Sequence, residues 1–202
     1  MLKYKAIYPE TLELLKKLMK IPGLDNFYLV GGTSLALRIG HRISVDLDLF
    51  SHIEFSTQEL ISEIEIIGSM KIIGEARNTL NVVIDGVEVD IIRHNYPLLE
   101  EIKIIDGLRL ISKKDIAAMK LSAIARRGSK KDFYDVYFIL QEFSTEELFE
   151  FYKLKYESRE MFHLVKSLVY FGEADLEPAP EMLIDVDWNN VKSFFNSLAL
   201  KY

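Results

Sequence analysis

The sequence contains no cysteine and no long apolar run. Without cysteine, disulfide frameworks and thiolate metal sites are excluded. No apolar run approaches the ~18–20 residues that a membrane-spanning helix requires. The N-terminus leads into an amphipathic stretch and not into the apolar core of a signal peptide. We therefore expect a cytoplasmic protein that does not associate with a membrane.

Basic residues are also fewer than acidic residues. The 202 residues carry 25 Lys and Arg against 31 Asp and Glu, which gives a formal net charge of −6. A protein that clamps long nucleic acid by its phosphates usually has a basic surface. Any nucleic-acid contact must therefore come from a local basic patch. Because 49% of the residues are hydrophobic, the chain can bury the core of one domain or of two small ones.

The apolar patterning divides the chain into an α+β half over residues 1–111 and a helical half over 112–202. In the first half we predict helices over 10–20, 33–39 and 56–67, and strands over 27–30, 44–50, 70–75, 80–84, 87–92 and 108–111. In the second half we predict helices over 112–127, 131–141, 158–171 and 188–200, another that begins at residue 144, and a loop over 173–180.

A β-hairpin is the clearest local signal. Asp85-Gly86 lies between two β-rich runs, the pattern typical of a two-residue type I′ turn. The alternation of side chains then predicts a polar face and an apolar face. The predicted polar face holds Asn81, Val83, Glu88 and Asp90, and the apolar face holds Val82, Ile84, Val87, Val89 and Ile91.

The segment Val45-Asp46-Leu47-Asp48-Leu49 is the centre of the functional argument. In a strand, Asp46 and Asp48 point to one face, where two carboxylates repel each other unless a cation or proton lies between them. Hard cations such as Mg²⁺ bind at oxygen sites of this kind. If the strand begins early, Arg42 and Ser44 share that face, and Arg42 supplies a cation for substrate phosphates.

Asp90 is available as a third carboxylate on a neighbouring strand. Two metal ions held by three carboxylates can activate a hydroxyl and stabilise a leaving pyrophosphate together. The residues alone leave simpler interpretations open. Asp46 and Asp48 also fit a solvated edge strand, and Glu88 and Asp90 also fit the wet face of a hairpin.

A glycine turn precedes the Asp-x-Asp segment. Gly31-Gly32-Thr33-Ser34 lies between a predicted strand and a predicted helix. Glycines at that position let the backbone approach a phosphate, and the helix N-terminus presents free N–H groups. The hydroxyl of Thr33 or Ser34 is a candidate additional donor. The spacing matches neither a P-loop nor a Rossmann fingerprint.

Taken together, these segments resemble the AbiEii/AbiGii toxin-like family of the nucleotidyltransferase superfamily, over most of the chain. The residues that carry the resemblance are Gly31-Gly32-Thr33-Ser34-Leu35-Ala36-Leu37, Gly40-His41-Arg42-Ile43-Ser44-Val45-Asp46-Leu47-Asp48-Leu49-Phe50, Val89-Asp90, Asp115-Ile116-Ala117-Ala118-Met119-Lys120, Ala125-Arg126-Arg127-Gly128-Ser129-Lys130-Lys131-Asp132-Phe133-Tyr134-Asp135, and Asp187-Trp188 with Val191-Lys192-Ser193-Phe194-Phe195. The ordered combination of motifs is specific, whereas each motif alone is weak.

The resemblance implies an α+β fold, with a small mixed β-sheet and flanking helices followed by a helical domain that closes over a nucleotide. It implies a Mg²⁺-dependent transfer from an NTP to the hydroxyl of an acceptor such as tRNA or a protein. It also implies a toxin of a toxin–antitoxin or phage-defence system, with a cognate antitoxin as a partner. The implied metal ligands are Asp46, Asp48 and Asp90, and the implied nucleotide-binding residues are Gly31, Gly32, Thr33, Ser34, Arg42, Lys120 and Asp132.

Charged residues of the helical half add to this prediction. Lys113, Lys120 and Arg127 recur every seven residues, so they are expected on one helix face, where Lys120 either binds phosphate or extends over the core. The basic cluster Arg126, Arg127, Lys130 and Lys131 fits acceptor phosphates or a solvated helix end.

Three further polar residues are given structural roles. We interpret Asp135 as an acidic residue that stabilises a helix N-terminus, and His41 as a structural or substrate-facing residue of a turn. Asp187 is predicted to cap the helix that begins at Trp188.

The mechanism expected from these residues is in-line attack of an acceptor hydroxyl on the α-phosphate, with Asp90 assisting the attacking oxygen. Gly31, Gly32 and Ser34 would hold the β- and γ-phosphates, while Lys120 and Arg42 would balance the charge of the leaving group. Asp-x-Asp also occurs in phosphatases and sugar-nucleotide transferases, but the position of this motif within a strand and the short chain disfavour both classes. The main alternative is a non-catalytic nucleotide-binding or interaction module of the same fold.

Overall fold

A computed structural model of the protein describes residues 1–157 and 161–202. Its described strands form a seven-stranded sheet in the order β3-β4-β5-β2-β1-β7-β6. They are β1 Tyr28–Leu29, β2 Leu47–Ser51, β3 Met70–Ala76, β4 Thr79–Ile84, β5 Val87–Arg93, β6 Lys103–Ile105 and β7 Leu108–Leu110. The pairs β2–β5 and β1–β7 are parallel, and the other neighbouring pairs are antiparallel. The predicted α+β fold with a mixed sheet is confirmed.

Helices flank this sheet. They are α1 Pro9–Leu18, α2 Gly31–Ile39, α3 Thr57–Ile64, α4 Lys113–Arg126, α5 Lys130–Ile139, α6 Thr145–Tyr156, α7 Phe162–Ser167, α8 Gly172–Leu176 and α9 Trp188–Ala199. Over the described parts of the chain, no helix combines the length and the apolar character needed to cross a membrane.

Polar side chains fix where several helices begin. The hydroxyls of Ser56, Ser112 and Ser144 each accept a hydrogen bond from the backbone N–H three residues later. Each bond satisfies one of the backbone donors that a helix N-terminus leaves free. The Asp187 carboxylate accepts a bond from the N–H of Asn189, so the predicted cap of α9 is confirmed.

The β4–β5 hairpin has the predicted turn and register. Asp85 and Gly86 both have positive φ, at 49° and 86°, as a type I′ turn requires. Asn81 pairs with Asp90, and Val82 pairs with Val89. The alternate residues Leu80, Val82, Ile84, Val87, Val89 and Ile91 are buried in the core. The predicted division into a polar and an apolar face is therefore confirmed.

Three predicted element bounds need correction. The strand predicted over 44–50 begins only at Leu47, because Arg42 and Ser44 make isolated bridges to other segments. The predicted loop over 173–180 begins within helix α8. The helix predicted over 158–171 is found only as α7, and residues 158–160 lie outside the described residues.

The buried apolar residues form two clusters on opposite sides of the sheet. One contains residues of α1, α3 and the inner faces of β2, β4 and β5. The other contains residues of α4, α5, α6 and α9, together with Tyr28, Val30 and Leu35 from the first half. A division into two domains at residues 111 and 112 stays a prediction.

Candidate active site

A cleft of about 600 Å³ lies between the sheet and helix α4. On the sheet side, β2 and β5 alternate, so Leu47 and Leu49 are buried while Asp48 and Phe50 face the cleft. On the helix side, α4 contributes one face of its surface. The lining residues from these elements are Leu47, Asp48, Phe50, Glu88, Asp90, Ile92, Ile116, Met119, Lys120, Ser122, Ala123 and Arg126.

The three predicted carboxylates line this one cleft. Asp48 and Asp90 lie directly opposite each other in the register of the parallel β2–β5 pair. Asp46 lines the same cleft on the approach to β2. Burial raises the pKa of Asp48, and so do the negative charges of Asp90 and Asp46, against an opposing effect of Lys120. The cleft therefore concentrates negative charge at the point where β2 and β5 meet.

Two of the three carboxylates interact with polar side chains of the protein. Asp90 accepts a hydrogen bond of 2.6 Å from the Asn81 amide, and the Asp46 carboxylate lies 3.6 Å from the Lys131 ammonium. Within residues 1–157 and 161–202, no three acidic or histidine side chains stand together as a ready-made metal site. The donor set nevertheless fits a hard divalent cation, because it consists of carboxylate oxygens whose mutual repulsion such a cation relieves.

The glycine turn fits closely around the site. Helix α2 begins at Gly31, which has a φ of +65° and follows β1 directly. A Cβ on Gly31 would overlap the Asp48 carboxylate, and a Cβ on Gly32 would overlap the Arg42 guanidinium. Both glycines line the cleft, so the N-terminus of α2 opens next to Asp48. An N-terminus of this kind favours anions.

The structure places the two hydroxyls of the turn outside the cleft lining. Thr33 is buried, and its hydroxyl donates to the Asp46 carbonyl and accepts from the Ser44 hydroxyl. Ser34 is fully buried, and its hydroxyl has no hydrogen-bond partner among the described residues. The expectation that these hydroxyls face a nucleotide is therefore corrected. Thr33 instead ties the turn to the segment that carries Asp46.

Lys120 lies between the cleft and the core. It lines the cleft, and its ammonium is 2.8 Å from Asp132 and 2.5 Å from Asp135. Burial alone would lower the pKa of Lys120, but Asp135 and Asp132 raise it, and the net shift is upward. Asp132 is fully buried and also accepts from Ser129 and Arg127. Asp132 thus positions cations of the cleft wall.

Asp135 has a larger role than the helix-dipole interpretation gave it, and that interpretation is wrong. Its carboxylate is fully buried and bonds to His41 Nε2 at 2.7 Å, to Arg42 at 2.7 and 2.9 Å and to Lys120. Burial would raise the pKa of Asp135, but Arg42, Lys120 and the His41 hydrogen bond hold it well below the ordinary value. His41 is therefore structural. Arg42 lines the cleft with its guanidinium held by Asp135.

The basic residues do not act as one cluster. Arg126, Arg127 and Lys131 line the cleft, whereas Lys130 is buried and bonds to the Glu177 carbonyl. Lys113, predicted on the same face as Lys120, instead pairs with Glu142. The positive side of the cleft is thus formed by the end of α4 and the start of α5, opposite the carboxylates.

The sequence did not lead us to the end of the cleft that is lined by aromatic rings. His94 and Tyr156 line it together with Phe50 and Ile92. The alternation along β5 did carry a signal for His94, because Asp90, Ile92 and residue 94 recur with a period of two. Tyr156 had no such signal, since it reaches the cleft from the end of α6.

The sequence has relatives among known proteins. Residues 13–201 match the family model described as the nucleotidyl transferase AbiEii toxin of a type IV toxin–antitoxin system. An uncharacterized protein of Aquifex aeolicus (strain VF5) is 36% identical over 204 residues, which cover 98% of each chain.

Solved structures with similar folds include two proteins of low sequence identity. JHP933 from Helicobacter pylori has a TM-score of 0.58 at 20% identity, over 100% of this chain and 93% of that one. MenT4, a nucleotidyltransferase toxin from Mycobacterium tuberculosis H37Rv, has a TM-score of 0.58 at 15% identity, over 96% of this chain and 86% of that one. By the match of its sequence over nearly the whole length, the chain belongs to the AbiEii nucleotidyltransferase toxin family.

Proposed function

We propose that the protein transfers a nucleotide from an NTP to an acceptor hydroxyl in a reaction that depends on Mg²⁺. The observation that carries this proposal is the register of Asp48 opposite Asp90, at the N-terminus of α2 and within one cleft. Carboxylates beside a helix N-terminus combine a place for a hard cation with a place for phosphate.

Asp46, Asp48 and Asp90 are the residues that would hold the metal ions. When bound, Mg²⁺ supplies positive charge that neutralises the phosphates and lowers the pKa of an attacking hydroxyl. Asn81 keeps one oxygen of Asp90 hydrogen-bonded, which leaves the other oxygen free to face the reacting hydroxyl.

The triphosphate would lie between the N-terminus of α2 and the helical side of the cleft. Gly31 and Gly32 line the cleft at the positive end of the α2 dipole, where the first backbone N–H groups of a helix have no partner within it. Lys120 and Arg127 supply cationic side chains on the helical side. Arg42 adds a positive charge close to Gly32, although Asp135 already neutralises much of it.

The chemical step is an in-line displacement at the α-phosphorus. The acceptor oxygen forms a new P–O bond, the bond to the bridging oxygen of the β-phosphate breaks, and pyrophosphate leaves with that electron pair. The hydroxyl proton passes to the Asp90 carboxylate and then to solvent. Lys120 and Arg127 stabilise the charge that develops on the pyrophosphate.

The biological role proposed from the family is that of a toxin with a cognate antitoxin as partner. The acceptor is an RNA, such as tRNA, or a protein. The cleft side that carries Arg126, Arg127 and Lys131 provides the local positive charge that an RNA acceptor requires. The predicted cytoplasmic location stays a prediction.

Label transfer tests the proposal. Each α-labelled NTP is incubated with Mg²⁺, a tRNA pool and either the wild type, Asp48→Asn or Asp25→Asn, an exposed control outside the cleft. We expect label on RNA or protein with the wild type and the control, and none with Asp48→Asn. Nucleotide binding that depends on Mg²⁺ without any transfer would instead favour a non-catalytic nucleotide-binding module.

A further inference from the structure

The cleft continues beyond the carboxylates into an end lined by rings, which we call the aromatic end and define by Phe50, His94 and Tyr156. The Phe50 and His94 ring centroids lie 5.0 Å apart, and the ring planes are tilted by 33°. The Tyr156 ring meets His94 edge-on at 6.5 Å. None of these residues has a part in metal or phosphate binding.

The aromatic end lies in line with the carboxylates. Phe50 follows Asp48 by two residues on β2, and Ile92 follows Asp90 by two residues on β5, on the same face of the sheet. Two residues of strand advance about 7 Å. This spacing suits a nucleotide whose α-phosphate lies at the carboxylates and whose base lies at Phe50 and Ile92, with the ribose between them.

His94 has an unused hydrogen-bonding atom at this place. Its Nε2 is buried and has no partner among the residues that the structure describes. A buried polar atom usually has a hydrogen-bond partner in native proteins, and an exception inside a cleft points to a missing ligand. Burial, and then the charge of Lys155, lower the pKa of His94 to about 4. The ring is thus neutral near pH 7 and offers one donor and one acceptor.

We propose that the aromatic end binds the base of the donor NTP, with His94 hydrogen-bonding to the edge of the base. This inference rests on the proposed function of the cleft as an NTP site. A nucleobase matches the surroundings because its faces are apolar and flat while its edge carries donors and acceptors. Stacking of bases on aromatic side chains is a common source of affinity in other nucleic-acid sites.

The chain offers a matched control for His94. His163 lies on α7 and its side chain is exposed. Unlike His94, it is not among the lining residues of the cleft. A substitution of His163 therefore removes the same type of side chain without touching the proposed base site.

The test compares binding of the four NTPs and of inorganic tripolyphosphate, all with Mg²⁺, to wild type, His94→Ala and His163→Ala. We expect His94→Ala to weaken NTP binding about tenfold, the equivalent of 1.4 kcal/mol, and to leave tripolyphosphate binding unchanged. His163→Ala should bind both like the wild type. Equal NTP affinities for the two variants, or equal weakening of tripolyphosphate, would overturn the base site.

An NMR titration of the wild type tests the base site without relying on the folding of any variant. With ¹⁵N-labelled histidine, the four imidazoles are followed by NMR during titration. NTP should shift the His94 signals, and tripolyphosphate should leave them in place. If His94 does not respond to a bound NTP, the base site is refuted while the nucleotidyltransferase proposal stands. If transfer is absent but His94 responds, the base site stands and the transfer proposal fails. A protein that binds neither compound refutes both.

Discussion

The Arg42 guanidinium forms a two-point ion pair with the buried Asp135 carboxylate, with Nε 2.7 Å from Oδ1 and Nη2 2.9 Å from Oδ2. The two residues are 93 positions apart in the sequence. Arg42 follows α2 in the α+β half, and Asp135 belongs to α5 in the helical half. Because Asp135 also holds Lys120, this pair fixes two cationic side chains of the cleft wall through one carboxylate.

Replacement of Asp135 by asparagine should destabilise the protein by about 3–5 kcal/mol, the range found when one partner of a buried ion pair is removed. The variant keeps the shape of the side chain but leaves the charges of Arg42 and Lys120 without their shared partner. Urea unfolding near pH 7 measures the change. Glu13→Gln, which removes an exposed partner of Lys16, is the control and should leave the unfolding midpoint unchanged. A similar midpoint for Asp135→Asn and wild type would contradict the prediction.

The stabilisation by Asp135 should also depend on pH. The folded state holds the pKa of this carboxyl well below its ordinary value, so the stabilising contribution is complete above the unfolded pKa of about 3.9. It is lost as the pH falls through the folded pKa. The difference in the free energy of unfolding between wild type and Asp135→Asn should therefore be largest near pH 7 and shrink below about pH 4. A difference that stays constant down to about pH 3 would show that altered packing, and not the lost charge, destabilises Asp135→Asn.

Local patterns predicted the parts of the site that lie on the hairpin and on β2. The alternation around Asp85-Gly86 fixed which face carries Asp90, and the register of β5 against β2 then brings Asp90 opposite Asp48. The first result depends on a period of two, which a short segment reveals by itself, whereas no local pattern fixed the register of β5 against β2. The starts of α3, α4 and α6 were readable because a serine followed three positions later by an acidic residue is a local pattern typical of a helix N-terminus.

Contacts between distant segments could not be read in this way. The partner of Asp135 depends on how α5 packs against residues 41–42, and no local pattern fixes that packing. A sequence signal was present, since Asp135 interrupts the apolar run Phe133-Tyr134-Asp135-Val136. An acidic residue within such a run is buried only when it is paired. The prediction that Ser34 binds phosphate was wrong, because its place in the turn did not reveal that its side chain is buried in the core.

Gly31 should not tolerate a side chain. In Gly31→Ala the new Cβ would overlap the Asp48 carboxylate, and the backbone would keep a φ of +65° that L-residues rarely adopt. Displacement of Asp48 should abolish label transfer. Gly86→Ala is the control, because Gly86 has a φ of +86° but nothing within 4 Å of its Cβ position. That variant should lose about 1–2 kcal/mol of stability from backbone strain and keep full transfer activity. Loss of activity in both variants would mean that strain alone explains the result.

Lys131 should compete with the metal for Asp46. The two side chains are half-exposed, and their charged groups lie 3.6 Å apart, so the pair contributes little to stability. The Lys131 ammonium nevertheless lies beside a predicted metal ligand. In Lys131→Gln we therefore expect an unchanged unfolding midpoint and a lower Mg²⁺ concentration for half-maximal label transfer at saturating NTP. Lys153→Gln, which loosens an exposed pair with Glu150 on α6, should leave the Mg²⁺ requirement unaltered. A higher requirement in Lys131→Gln, together with weaker tripolyphosphate binding, would show that Lys131 acts on the phosphates and does not compete with the cation.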